Sequence, residues 1–298
     1  MKPWLLGAIA IALPVYAQNS IPAPGVSPST YASHQSEQAW ATAKLAKSPR
    51  RSTWVKLQLG DRTLRAFVTF PQTNKKVPVV LVLHEVFGLT ESTRNTADQI
   101  AAMGYITIAP DMVSGQAPNG GGVASFENST LTSATVTGQS HQSVNAQIDA
   151  WADYGLKLPH ANGKLALVGL SWGGGATFRY ATYPAYNPAL KAAFVFYDIG
   201  PPIFNQGPNR ANNPPLPVDT IKVPIYGFYP TKDTRVMNSL QATKDAMAKA
   251  GKAFDPVLYE NADHAYMRYG EDPRDPNPAN KAAVEASMAR LKALLAAM

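Results

Sequence analysis

Lys164 to Tyr180 reads KLALVGLSWGGGATFRY, and this stretch restricts the possible folds more than any other part of the chain. An apolar run, Leu165 to Val168, meets the pentapeptide Gly169, Leu170, Ser171, Trp172, Gly173, after which small and apolar residues recur at helical spacing. The pattern predicts a buried strand, a sharp turn and a helix. A turn this tight needs flanking positions without side chains, and it holds the serine in strained backbone geometry. Ser171 Oγ is then expected to stand clear of the sheet edge. The Trp172 amide, at the start of the helix, would point at the oxygen of a bound acyl group. The letters GxSxG alone also describe an ordinary turn. The apolar strand before them and a third glycine, which lets the helix pack closely on the sheet, favour the nucleophile.

The remaining chain supplies matching strand and helix units. Ser36 to Lys47 has helical composition, and Trp54 to Leu59 with Thr63 to Phe70 predicts a hairpin around Gly60, Asp61 and Arg62. Val77 to Leu83 is an unbroken apolar run, as expected of a central parallel strand covered on both faces. A helix over Glu91 to Met103 and a strand over Tyr105 to Ala109 follow, and His141 to Leu158 is the helix that feeds the elbow. Beyond it, strands are predicted over Lys191 to Tyr197, Val223 to Phe228 and Asp255 to Tyr259, and helices over Val236 to Ala250 and Asn277 to Ala297. Such βα units call for a mostly parallel sheet with right-handed crossovers and helices on both faces, an α/β fold. Two stretches are predicted to be irregular. Ser114 to Gly138, rich in Gly, Ser, Thr and Asn, suits an active-site cover or flap, and Gly200 to Pro217 carries six prolines.

A length of 298 residues accommodates one large domain, expected over residues 51–298. The first residues, MKPWLLGAIAIALPVYA, combine Lys2 with an apolar stretch from Trp4 to Val15 and predict a secretory signal peptide cleaved after Ala17. The run is too short for a membrane span. Residues 18–50 then form a leader with a short helix, and the mature protein is expected to be exported, periplasmic or secreted, and not bound to a membrane. Loss of Lys2 lowers the formal charge from +7 to +6. The remaining cations form no long basic run, so nucleic acid is not an expected partner. Cysteine is absent, which excludes disulfides, a thiol nucleophile and cysteine-based zinc sites. The histidines show no metal-ligand spacing, and neither a metal nor an organic cofactor is expected.

A serine hydroxyl needs a base within hydrogen-bond reach and a carboxylate to orient that base. Of His34, His84, His141, His160 and His264, only His264 lies in a loop after the last strand, where the chain order nucleophile, acid, histidine puts the base. Asp233, in the loop YPTKDTR, is the favoured acid, with Asp198 one strand earlier as competitor. Asp233 also stands where an N-cap is common. A second oxyanion donor is expected from the loop after Val77 to Leu83, with Val86 N–H as candidate and Gly88 permitting an unusual turn. Glu85, charged beside an apolar strand end, requires a partner, structural or functional. Trp172, Phe87, Tyr197 and Tyr266 are candidates for an aromatic pocket, although aromatics near strand ends are commonly core.

Taken together, HEVFGL with Glu85, YITIAPDM at Tyr105 to Met112, GLSWGGG at the elbow, Asp233, and DHAYMR around His264 resemble the dienelactone hydrolase family of the α/β-hydrolase superfamily. The resemblance runs from about Trp54 to the C-terminus. It implies an α/β-hydrolase fold, a catalytic trio of Ser171, Asp233 and His264, and oxyanion amides on Val86 and Trp172. It also implies a glutamate near the nucleophile at Glu85 and a carboxylate-binding arginine at Arg268, four residues beyond the histidine. Two features depart from the family. Its namesake enzymes use cysteine where this chain has Ser171, and their second carboxylate-binding arginine has no counterpart, since no Arg occurs from Met112 to Phe178. The implied activity is hydrolysis of a small-molecule carboxylic ester or lactone through an acyl-enzyme. A cutinase-like polyesterase, a peptidase or acyltransferase with the same trio, and a non-catalytic binding module are the competing readings.

Overall fold

The structure is a computed structural model that describes residues 38–198 and 216–298. The expected signal peptide, the leader up to residue 37 and most of the proline-rich 200–217 excursion lie outside the described residues. Eight strands form one sheet: β1 (Ser52–Leu59), β2 (Arg62–Thr69), β3 (Val77–Leu83), β4 (Ile106–Asp111), β5 (Ala161–Leu170), β6 (Leu190–Phe196), β7 (Ile225–Pro230) and β8 (Phe254–Tyr259). Their spatial order is β1-β2-β4-β3-β5-β6-β7-β8. β1 and β2 form the antiparallel hairpin, β2 joins β4 antiparallel, and every later pairing is parallel. Leu64, Ala66 and Val68 alternate inward along β2, whereas β3 and β5 are buried through most of their length, as parallel strands between two helical layers must be.

Alternate residues of the parallel strands feed two apolar layers. One face carries Leu81, Leu167 and Val195, covered by Ile148 and Trp151 of α4 (His141–Leu156), Phe178 of α5 (Trp172–Thr182) and Leu240 of α6 (Thr234–Lys249). The opposite face carries Val82, Val168, Phe194 and Phe228, covered by Ile100 of α2 (Glu91–Ala102) and Leu291 of α8 (Pro278–Ala296). Chain direction across the sheet reverses around β3, which has β4 on one side and β5 on the other. In an open α/β sheet the crevice beyond the carboxyl ends at such a point is where ligands bind.

One segment differs from its sequence expectation, and a second agrees with it in type while adding contacts that the sequence does not announce. Residues 114–138 were expected to be irregular, yet they end in a helix, α3 (Ser129–Gly138). The Asn128 side chain accepts from Leu131 N at 3.0 Å, Thr135 and Thr137 hydroxyls donate back to Leu131 and Ser133 carbonyls, and Thr132 and Val136 are buried. Capping and packing thus overcome a composition poor in helix formers. The second segment is the end of the leader: the helix expected within Ser36 to Lys47 is present as α1 (Ala39–Ala46), and it docks on α2. Gln38 Oε1 accepts from Ser92 N at 2.7 Å, and Arg50 clasps Asp98 through Nε at 2.9 Å and Nη2 at 2.5 Å. Thr90, the N-cap of α2, makes no side-chain cap bond, so Gln38 satisfies an amide that α2 leaves open.

Candidate active site

Ser171 occupies the turn between β5 and α5 at φ 50°, ψ −118°, a region that non-glycine residues enter only when the surroundings enforce it. The enforcement is visible in the close approach of backbone. A Cβ on Gly173 would lie 2.4 Å from Leu83 O and 2.7 Å from His84 O, and one on Gly169 would lie 2.0 Å from Gly173 O. Hydrogen bonds from Ser171 N to Phe196 O (3.0 Å) and from Gly173 N to His84 O (3.1 Å) fix the turn to both neighbouring strands. Trp172 is the first residue of α5, where the amide has no partner within the helix.

Ser171 Oγ stands 3.0 Å from His264 Nε2, and His264 Nδ1 stands 2.6 Å from Asp233 Oδ2. Asp233 uses its other oxygen, Oδ1, to cap α6 at Val236 N (3.3 Å), so the capping and partner readings of this residue coincide. Burial pushes the Asp233 carboxyl up, but the hydrogen bond and charge of His264, together with Arg235 and the Val236 amide, outweigh it and hold the carboxyl below its ordinary value. Asp198, the competing acid, is buried on the far side of Arg235: Arg235 Nη1 lies 3.8 Å from Asp198, while its Nη2 lies 3.5 Å from Asp233.

The loops carrying acid and base are joined to each other. Lys232 N donates to Ala262 O (3.2 Å), Thr231 N to Tyr259 O (3.1 Å), and Asn261 N to Thr231 Oγ1 (2.8 Å). Asp263, beside the histidine, points away and accepts from Asn277 and Asn280 of the α8 start at 2.5 and 3.0 Å. Ala265, at φ 62°, turns the chain into α7 (Tyr266–Tyr269).

On the other side of Ser171, the loop after β3 carries His84 to Gly88. His84 is fully buried; its Nδ1 is 2.6 Å from Glu85 O, and its Nε2 accepts from Met112 N at 3.1 Å. That pair of contacts defines a neutral ring protonated on Nδ1, and burial lowers its pKa to about 4. The ring stacks on Trp172 with centroids 5.6 Å apart. Gly88, at φ +79°, closes the turn through Gly88 N to Glu85 O (3.2 Å), which contains Val86. Val123 packs so tightly on Gly88 that a Cβ there would lie 2.4 Å from Val123 Cγ2. Val123 N donates in turn to Asp111 Oδ2 (2.8 Å), and Val113 N donates to Oδ1 (3.2 Å). Burial raises the Asp111 carboxyl to about 6 despite these amides and the nearby Arg65 and Arg62. The segment after β4 is thereby tethered against both Gly88 and Trp172.

Glu85 is buried and uses both oxygens: Tyr197 OH donates to Oε1 at 3.1 Å and Arg268 Nε donates to Oε2 at 3.2 Å. The Arg268 guanidinium lies 5.5 Å from the Phe87 ring centre and 4.6 Å from that of Tyr269. Phe87 and Val86 are half-buried. Tyr197, also expected in the aromatic pocket, is instead fully buried, at φ 37°, and sets its ring edge-on to His264 at 5.3 Å. Tyr266, expected on the pocket wall, is instead fully buried and bonded through its hydroxyl to Ser287 Oγ (2.6 Å), a packing residue with no face open to a ligand. Among the described residues no three His, Asp or Glu side chains are grouped to hold a metal ion.

Sequence reasoning missed the roles of His84, Asp111 and Arg235. For Arg235 a signal existed, because it follows Asp233 by two residues at a helix start. His84 also reaches Met112 N and Asp111 reaches Val123 N, contacts between separate segments that no local pattern announces.

Residues 64–298 match the family model described as the dienelactone hydrolase family. The chain belongs to the dienelactone hydrolase family. It is 30% identical over 218 residues to a protein of Methylorubrum extorquens named "Putative carboxymethylenebutenolidase", covering 71% of each chain. An Escherichia coli protein of the same name is 30% identical over 201 residues, 65% of this chain and 69% of that one. Among solved structures, a "Putative Dienelactone Hydrolase" from Klebsiella pneumoniae superposes with a TM-score of 0.67 at 23% identity, covering 80% of this chain and 97% of the other. A thermostable esterase from Pseudomonas putida gives a TM-score of 0.63 at 15% identity over 92% of this chain and 97% of its own. These structural likenesses reflect the shared α/β-hydrolase fold, and membership of the dienelactone hydrolase family makes the chain a hydrolase.

Proposed function

We propose that this protein is an exported serine hydrolase that cleaves carboxylic esters or lactones through an acyl-enzyme. The observation that carries the proposal is the continuous path from Ser171 Oγ through the His264 ring to Asp233, with contacts of 3.0 and 2.6 Å. The names of the curated relatives support the ester and lactone class. His264 Nε2 removes the hydroxyl proton as Ser171 Oγ bonds to the substrate carbonyl carbon, and the carbonyl electrons move onto oxygen. The amides of Trp172 and Val86 stabilise that oxyanion. The C–O bond to the leaving group breaks, and His264 returns the proton to the departing oxygen. Water, deprotonated by the same imidazole, then releases the acid and regenerates Ser171. Asp233 keeps Nδ1 protonated, so that Nε2 is the basic nitrogen throughout.

Ser171→Ala is expected to lower kcat for p-nitrophenyl butyrate by at least about a thousandfold with an unchanged circular dichroism spectrum. Equal turnover by that variant rejects the proposal. Export rests on Lys2, the apolar Trp4 to Val15 stretch and the small Ala17. Intact-mass analysis of protein recovered outside the cytoplasm is expected to give a chain beginning at Gln18; a chain retaining Met1 or Lys2 there rejects cleavage.

A further inference from the structure

Gln38 begins one helix and caps another. Its carbonyl accepts from Ala41 N (2.9 Å) and Thr42 N (3.2 Å), which starts α1, while its side-chain Oε1 accepts from Ser92 N of α2 at 2.7 Å. A cap ordinarily comes from the residue just before the helix, yet Thr90 holds an extended backbone suited to that task (φ −87°, ψ 170°) and makes no side-chain cap bond. Gln38 and Ser92 are both buried. α1 itself is pinned. Just beyond its far end, Ser48 Oγ and Arg50 Nε bind the buried Asp98 of α2 at 2.7 and 2.9 Å, and Lys44 pairs with Glu271 beyond α7. The family match starts at residue 64, so Gln38 and α1 stand outside the matched stretch.

The start of α2 is also the end of the loop that carries Val86. That loop leaves β3 at Leu83 and enters α2 at Glu91, and Gly88 N turns it back onto Glu85 O at 3.2 Å. Glu85 O and Val86 N–H belong to one planar trans peptide unit and point opposite ways, so whatever holds Gly88 also aims the Val86 amide. Upstream, His84 Nδ1 holds Glu85 O at 2.6 Å; downstream, Leu89 and Thr90 alone separate Gly88 from α2. Losing the Gln38 oxygen leaves Ser92 N open in a buried place. The N-cap hydroxyl of Thr90 is the group placed to replace it, and drawing Thr90 in pulls on Leu89 and Gly88.

We propose that Gln38 is a positioning residue for the Val86 amide, holding the far end of its loop from a helix outside the matched stretch. The proposal rests on the ester-hydrolase reading, in which Val86 N–H stabilises the oxyanion. In it, α1 is a working part of the site.

Gln38→Met keeps the length of the side chain and removes the acceptor, and Gln38→Glu keeps an acceptor oxygen. With p-nitrophenyl butyrate, Gln38→Met is expected to lower kcat by about tenfold with KM unmoved, because the oxyanion exists only after attack, and Gln38→Glu to stay within about twofold of wild type. Amide exchange followed by NMR gives a readout that capping alone does not move. Ser92 N–H exchanges faster in Gln38→Met in either case, whereas Gly88 N–H, bonded to Glu85 O, speeds up by about tenfold only where Gln38 braces the loop. An unmoved kcat, a loss confined to KM, an unmoved Gly88 amide in folded Gln38→Met, or a Gln38→Glu variant as slow as Gln38→Met overturns the proposal. Should Gln38→Met fail to fold, Gln38→Asn, one methylene shorter, takes its place with the same expectations, and failure of both to fold makes Gln38 a folding element and overturns it. A faster Gly88 amide in the variant beside a wild-type chain inert toward the ester rejects the hydrolase reading alone. An active wild type whose kcat and Gly88 amide are both unmoved by the substitution rejects the brace alone.

Discussion

The two flanks of Ser171 are built from the same kinds of residue and behave as opposites. On the β3 and β4 side stand a histidine, an aspartate and a glutamate, and all three are buried and held: His84 by Glu85 O and Met112 N, Asp111 by two amides, Glu85 by Tyr197 and Arg268. On the β7 and β8 side stand another histidine and aspartate, but the His264 side chain is 39% exposed and faces the serine. The lesson is a division of labour. One wall is fixed by its own hydrogen bonds; the other presents the His264 ring, which in the proposed mechanism exchanges a proton with the substrate.

The comparison breaks most visibly by activity. Asp233→Asn and His264→Ala are each expected to lower kcat by about 10³–10⁴-fold while moving the urea midpoint little, as befits the proton-handling flank. A stability loss with activity kept would reverse the roles of the flanks. His84→Leu is expected to do the contrary on the fixed flank, costing about 2–4 kcal/mol in urea unfolding because Glu85 O and Met112 N lose their partner.

A subtler sign separates the two buried groups of the fixed wall. His84, lowered to about 4, takes up its proton in the unfolded chain first, so its contribution to stability is lost as pH falls from about 6.5 toward 4. Asp111, raised to about 6, holds a proton in the folded chain first, so its contribution grows as pH falls through the same range. The two oppose each other, and wild-type stability is expected to vary little there on their account. Asp111→Asn removes one half, and its stability is expected to fall relative to wild type by about 2 kcal/mol between pH 6.5 and 4, measured as the difference between two urea-midpoint series. Parallel curves for the two proteins would refute the assignment. Smallest of all, Arg235→Gln is expected to change stability and transition-state free energy by less than about 1 kcal/mol each, since its guanidinium is half exposed and stands at 3.5–3.8 Å from its acids.

How far the sequence anticipates this arrangement follows from how local each cause is. Val77 to Leu83 coincides with β3, and the elbow is legible because its glycines answer to contacts within a few residues and the two adjoining strands. Asp233 and His264 are legible through chain order. The helix at Ser129–Gly138 is hidden because Thr residues, which ordinarily weaken helices, here turn their hydroxyls to carbonyls four residues back while Val136 is buried. The docking of α1 depends on Gln38 reaching Ser92, 54 positions away, and no periodicity reports such a bond. Arg268 shows the limit most clearly. Its spacing from His264 is plain in the sequence, yet only the packed chain shows Glu85 already at its guanidinium.

The cross-bonding of Thr231 and Lys232 to Tyr259, Asn261 and Ala262 makes the two loops of the proton-handling flank a single plate. Imidazole and carboxylate are therefore carried by one backbone unit, and the serine hydroxyl 3.0 Å away is carried by another. In the proposed mechanism that one distance times the reactive encounters, while the contact with Asp233 keeps the tautomer that makes each of them productive.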